Sequence, residues 1–302
     1  MNWLVAIHIS VVLFAVVSVL DKHLVARMFP SAATFNIVFG LLQFVVAPTF
    51  LIAVVFTVGF DGGSGIPWAM GAGVAWGLGL SLFFAGLRYE EVSRAAPIQA
   101  TAPVVAAIIA VTFFGDSLTL VQWGAVLLVV LSAALVSARF DGWTPRIAHG
   151  RGLFLLMAGA VVIGVAFVVS DEAVDRMNVW AVQGFRALFM GLFVLAIMWR
   201  PSRHSELVTI LKDGKAMLVM FAAEGILGPL AALALVVAFA NGSVSVVSAV
   251  GSSRPLLVLI ISIALSTKAW NVLNEPLDGQ ILGIKAVATA LIVGGVVTLA
   301  VV

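Results

Sequence analysis

Ten apolar runs, each close to the roughly 20 residues that a helix needs to cross the hydrocarbon core of a bilayer, dominate this chain and constrain its fold more than any other feature. Bounded by charges or by Gly/Pro punctuation, the first five lie at Trp3 to Leu20, Ala33 to Val58, Pro67 to Leu87, Val92 to Phe113 and Leu118 to Ser137. The second five lie at Gly152 to Ser170, Val179 to Trp199, Ala216 to Ala240, Val244 to Leu265 and Gln280 to Val302. Runs of this length exclude the alternating strands of about ten residues that build a membrane β-barrel. The loops between them are short, so consecutive helices are antiparallel neighbours. Composition agrees: 63% of the 302 residues are hydrophobic and 10% charged, against about 25% charged in a soluble domain, and the mean hydropathy is +1.20. The expected fold is all-α, a polytopic membrane protein of ten spans. Met1-Asn2-Trp3 offers no positive stretch before the first run, which is expected to stay as a helix. The longest loop, Arg200 to Lys215, contains Glu206 to Lys212, a candidate interfacial helix.

Because successive loops alternate sides, basic residues sort by face. One face holds Lys22, Arg27, Arg88, Arg94, Arg139, Arg146, Arg151, Arg200, Arg203, Lys212, Lys215 and Lys268, while the other holds Arg176. The positive-inside rule then puts the loops after spans 1, 3, 5, 7 and 9 in the cytoplasm and both termini outside it, in a cell (inner) membrane. The basic residues never cluster into a recognition surface, so no nucleic-acid partner is expected. There is no cysteine, hence no disulfide, thiolate metal site or Cys nucleophile. No cofactor and no metal are implied. The expected partners are a small-molecule substrate and the lipid bilayer, with the chain a monomer or homodimer.

The two halves align at an offset of about 150, residues 1–140 with 151–302, joined by a connecting loop at 141–150. Arg27-Met28 matches Arg176-Met177, and Phe35 and Phe39 match Phe185 and Phe189. Val92-Ser93 faces Val244-Ser245, and Pro103 in span 4 faces Pro255 in span 9. Gly115-Asp116-Ser117-Leu118 faces Asn274-Glu275-Pro276-Leu277, with Gly124 and Gly283 eight residues past each acid. Five spans per half is odd, so the second copy is inverted relative to the first, a common basis of secondary transporters.

With these residues in view, the chain resembles the EamA-type branch of the drug/metabolite transporter superfamily. The run Ala85-Gly-Leu-Arg-Tyr-Glu-Glu-Val-Ser93, the mid-span Pro103, Gly-Asp-Ser-Leu118 and their second-half counterparts carry the resemblance; family members usually show Gly-Glu where this chain has Gly115-Asp116 and Asn274-Glu275. The resemblance implies a basket of spans 1, 3, 4, 6, 8 and 9 around a central cavity, with spans 5 and 10 peripheral. It also implies export or facilitated movement of small metabolites such as amino acids by alternating access. Family members typically keep both termini in the cytoplasm, against the orientation that the basic loops give.

Charges within spans cost a few kcal/mol each, about 2.5 to 3.5 on insertion scales, so each should face protein or a wet cavity. Arg254 lies near mid-depth and precedes Pro255, whose missing N–H frees a carbonyl one turn earlier; it reads as an anion or carboxylate site, or as the ion-pair partner of Glu224. Glu224, about 6 Å to the cytoplasmic side of its helix centre at 1.5 Å per residue, is read as the one acid well inside a span. It is either that partner or a proton-coupling group. Arg186 is close enough to the outer end to snorkel, and Lys285 to the basic face. His8 is a core imidazole or a cavity residue, and Gln43, Trp76 and Gln99 add polar or aromatic groups near mid-depth. Span 1 is read as lacking the acid of a cation/proton antiporter. Gly71, Gly73, Gly77 and Gly79 let helices approach closely, and Pro103, Pro255, Gly228 and Pro229 are candidate hinges.

The rival class is an intramembrane enzyme acting on a lipid phosphate, because Gly251-Ser252-Ser253-Arg254 could hold phosphate through backbone N–H groups and the guanidinium. A serine protease would need a base beside Ser252 or Ser253, and of His8, His23, His149 and His204 only His8 lies in a span. His-Glu-x-x-His is absent, which removes a metalloprotease. Transport is the expected function, and catalysis is not.

Overall fold

The computed structural model describes residues 3–57, 63–114, 118–141, 144–147, 150–241, 250–251, 253–266 and 279–301. Gly115-Asp116-Ser117, Val244-Ser245, Ser252, Lys268 and Asn274-Glu275-Pro276, all singled out above, lie outside these residues.

The first half comprises α1 (Trp3–His23, continued by the wider π-helical turn Leu24–Met28), α2 (Ala32–Thr57), α3 (Ile66–Leu87), α4 (Val92–Gln99), α5 (Ala102–Ile109, continued by a π turn Ala110–Phe114) and α6 (Leu120–Ser137). A two-stranded antiparallel hairpin, β1 (Ala138–Asp141) and β2 (Thr144–Ile147), follows and pairs Ala138 with Ile147. The second half comprises α7 (Arg151–Val174), α8 (Val179–Met198), α9 (His204–Lys212), α10 (Gly214–Met220, followed by a π segment Phe221–Leu227), α11 (Gly228–Asn241), α12 (Arg254–Ser266) and α13 (Gly279–Val301).

Seven helices are long and apolar enough to cross a membrane: Trp3–Met28, Ala32–Phe56, Gly63–Leu87, Val92–Phe113, Arg151–Val174, Val179–Met198 and Gly214–Leu235. Three shorter apolar helices, Leu120–Ala133, Arg254–Ser266 and Leu282–Thr298, accompany them among the described residues. The outside of the bundle is apolar, with Leu120 88%, Phe154 71% and Leu218 70% exposed. Water would not tolerate so continuous an apolar surface, whereas lipid does.

α1 packs on α11 and α12, α2 on α8, α3 on α7 and α8, α4 on α7 and α12, α5 on α7, and α6 on α13. Glycines set the closest of these seams. A Cβ on Gly73 would lie 2.6 Å from the Arg186 carbonyl oxygen, and one on Gly79 would lie 3.3 Å from that of Gly159. α3 therefore runs backbone against backbone with α8 on one side and α7 on the other. At the basic end the turn after α1 is capped by edge-to-face contacts of Phe35 with Phe29 (5.3 Å) and Phe84 (4.8 Å).

One expectation about this end changes. Lys285 does not snorkel: it is 3% exposed, and its ammonium is ion-paired to Glu91 and donates to Ser93 Oγ at 2.8 Å. Glu90 and Arg94, both buried, form a second ion pair at 3.0 Å. The Glu90-Glu91-Val-Ser-Arg94 run thus fastens α3, α4 and α13 together.

Candidate functional site

Span 4 is interrupted between α4 and α5, at Ala100 and Thr101, just before Pro103. Having no N–H, Pro103 leaves the Gln99 carbonyl without its helical donor. α12 starts at Arg254 with Pro255 as its second residue. Since α4 packs on α12, the two irregular points face each other, and the Arg254 guanidinium donates to the Gln99 side-chain carbonyl.

α1 supplies the other side. Its Phe14 ring centroid lies 5.8 Å from the Arg254 guanidinium carbon, and Asp21, seven residues and two turns further on, shares that face. Asp21 is 4% exposed, and its charge interacts with that of Arg254. This corrects the reading that span 1 holds no acid. The Asp21-Lys22 pair looks like a helix boundary in the sequence, yet α1 continues through it. Lys22 reaches sideways to donate to the carbonyls of Leu87 and Glu90, at 2.6 Å each, while Asp21 points inward.

Glu224 stands in the π segment between α10 and α11. Its carboxyl lies beside that of Asp21, and the two interact. Arg254 and Glu224 form no salt bridge among the described residues; the acid between them is Asp21. Among the described residues one Asp21 oxygen, Oδ1, is buried with no hydrogen-bond partner. Spans 1, 4, 8 and 9 thus bring two carboxyls, one guanidinium and one amide together, at irregular backbone in three of them.

The other candidate residues lie apart. His8 is exposed on the apolar face of α1 with Leu4, Val5, Ile9 and Val12, its Nδ1 2.7 Å from the Leu4 carbonyl. It is thirteen residues from Asp21, about 220° round the helix at 3.6 residues per turn. Gln43 is buried in the α2–α8 seam, where a Cβ on Gly191 would meet its Cβ at 3.0 Å. Trp76 and Arg186 meet each other rather than Arg254: the Arg186 guanidinium lies 5.2 Å from the Trp76 ring centroid. Trp76 is the eleventh residue of α3, so Arg186 turns inward instead of snorkelling. Gly228 and Pro229 follow the π segment directly, and a Cβ on Gly228 would lie 3.4 Å from Glu224 Oε2. Of the phosphate-binding candidates, Ser253 Oγ donates to the Val250 carbonyl at 2.6 Å. Sequence reasoning found Gln99 singly and Arg254 with Glu224 as a candidate ion pair; Asp21 was missed, and its i, i+7 relation to Phe14 was the available signal.

Helices that present apolar residues outward and hold charged groups in their interior define a polytopic α-helical membrane protein. Comparison narrows the class: the EamA-like transporter family matches residues 1–138 and 150–301. The chain belongs to this family, within the drug/metabolite transporter superfamily. A search of curated proteins finds no significant match. Among solved structures, one crystal structure is 20% identical over 98% of this chain and 94% of the other, with a TM-score of 0.49.

Proposed function

We propose that this protein is a secondary transporter, an exporter or facilitator, that moves small carboxylate-bearing metabolites such as amino acids across the cell membrane by alternating access. The observation that carries the proposal is the convergence of Asp21, Gln99, Glu224 and Arg254 from four helical segments, beside the interruption of span 4 and the start of α12. Irregular backbone at membrane depth is tolerated where it is enclosed by protein or lines a cavity, and transporters place solute sites there. Arg254 offers donors to a carboxylate. The unpartnered Asp21 oxygen offers an acceptor to an ammonium or hydroxyl.

The architecture that goes with this function is ten spans in two inverted five-helix repeats. Exchanging each span for the one five further on turns the α1–α11 contact into α3–α7, and the α1–α12 contact into that of α7 with α4 and α5. It returns α2–α8, α4–α12 and α6–α13 to themselves, and all these contacts are present. This supports the repeat. The bias of basic residues supports termini outside the cytoplasm.

The test is exchange flux in proteoliposomes, with radiolabelled amino acids and simple organic acids inside and out. Wild type is expected to exchange at least one of them, and Arg254→Ala to lose that exchange while remaining folded. Exchange of none, or full exchange by a folded Arg254→Ala protein, overturns the reading.

A further inference from the structure

α3 turns Val74 and Leu78 outward, 38% and 37% exposed. Trp76 lies on the opposite side of the helix, taking about 100° per residue. It faces the interior and is half-buried. Two neighbouring helices, α7 and α8, fix that ring. Its indole N–H donates to Ser170 Oγ at 3.3 Å, Phe167 meets it edge-on at 5.3 Å, and Arg186 covers its face. Arg186 also donates to the Gln183 side-chain carbonyl.

The charges are unequal across the interior. Arg254 has Asp21, Lys285 has Glu91 and Arg94 has Glu90. At the outer end Glu172 is taken by Arg176. Among the described residues Arg186 has an amide and an aromatic face but no carboxylate. A guanidinium carries five N–H donors, and a cation within a span without its counter-charge is costly.

We propose that Arg186, with Gln183 and the Trp76 face, forms an anion-binding station that takes the carboxylate of a small organic solute, separate from the Arg254 centre. Contact with the Trp76 ring and the bond to Gln183 restrict the guanidinium, which favours a two-oxygen partner for its fork. Arg186 is the eighth residue of α8 and Trp76 the eleventh of α3, both counted from the end away from the basic loops, which places the station roughly 10 to 15 Å from that end. Asp21 and Gln99 are each seven residues from the opposite end, roughly 10 Å. A solute crossing the bundle would meet the two stations in turn, one on each side of the midplane. Because Trp76 points away from the lipid-facing side of α3, the ligand is a soluble carboxylate rather than a lipid headgroup. The inference rests on the transport reading only for the solute's path; binding is read without flux.

The cysteine-free chain makes Ser170→Cys a unique reporter beside Trp76. The full-length protein is reconstituted in vesicles of neutral lipid, or of neutral lipid with phosphatidylglycerol, and the introduced thiol is labelled with a water-soluble methanethiosulfonate with and without benzoate. Benzoate is expected to slow labelling. Adding Arg186→Gln should raise the half-protecting concentration at least about tenfold, the worth of a hydrogen bond to a charged group. Arg186→Lys should be intermediate. A benzoate-induced rise in melting temperature, lost on Arg186→Gln in the protein with Ser170 unaltered, checks the reporter. Equal protection with Arg186→Gln, no labelling of the thiol at all, or slowing by phosphatidylglycerol alone would overturn the station. Failed protection with intact flux removes this station but leaves the transport reading; intact protection without flux does the reverse.

Discussion

Neutralising either partner of the Lys285–Glu91 ion pair should give unequal losses of stability. The Lys285 side chain is 3% exposed and that of Glu91 29%. Glu91→Gln leaves a buried ammonium without its carboxylate, held by Ser93 Oγ and other polar contacts, and removing one partner of a buried pair costs about 3–5 kcal/mol. Lys285→Met removes the buried charge and fills the space with an apolar chain. The carboxylate left behind is part-exposed and can be hydrated, so the expected loss is about 1–2 kcal/mol. The double variant should recover most of the Glu91→Gln loss. The assay is unfolding in mixed micelles by added dodecyl sulfate, followed by circular dichroism, for wild type and the three variants. A Lys285→Met protein less stable than Glu91→Gln would refute the reasoning, since the ammonium would then not be the group that burial penalises.

Three further outcomes follow from single positions. Gly73→Ala places a methyl group 2.6 Å from the Arg186 carbonyl oxygen and should cost about 1–3 kcal/mol as overpacking; Gly124→Ala meets nothing within 4 Å and should be neutral or stabilising in the same unfolding assay. On α9, Glu206 Oε2 accepts from Thr34 Oγ1 at 2.6 Å and Ser31 Oγ at 3.0 Å, and these bonds hold its pKa below the ordinary 4.5. A depressed carboxyl stabilises above its unfolded value and loses that contribution as pH falls through the folded one. Amide exchange in α9 should therefore accelerate below about pH 4.5 in wild type and show no such step in Glu206→Gln. Reporter fusions at Ser205 should read cytoplasmic and fusions after Val302 extracytoplasmic; a cytoplasmic C-terminus would reverse the orientation.

Hydropathy made the helices legible, because a run of about 20 apolar residues has few folds open to it, and a short helix at α9 was legible in the longest loop. What hydropathy cannot register is direction around a helix. Asp21 and Lys22 together look like a boundary, yet one points into the bundle and the other reaches along the α3 carbonyls. Lys285 and Arg186 were judged by distance from a helix end, which sets whether a side chain can snorkel but not whether a partner holds it inside. Glu91 holds the first and Trp76 the second. Arg254 and Gln99 were each visible as costly polar groups, but their meeting depends on the packing of α4 on α12, and no local pattern encodes that.

The central claim is that the Arg254 centre binds solute and is not merely an internal ion pair. It is tested most directly by solute exchange in proteoliposomes carrying the Arg254→Ala, Asp21→Asn double variant. Removing both charges together relieves the uncompensated acid that Arg254→Ala alone would leave, so the double variant should melt close to wild type. The account predicts that this well-folded protein exchanges no solute. Exchange at the wild-type rate would contradict it and reduce Arg254 and Asp21 to structural partners.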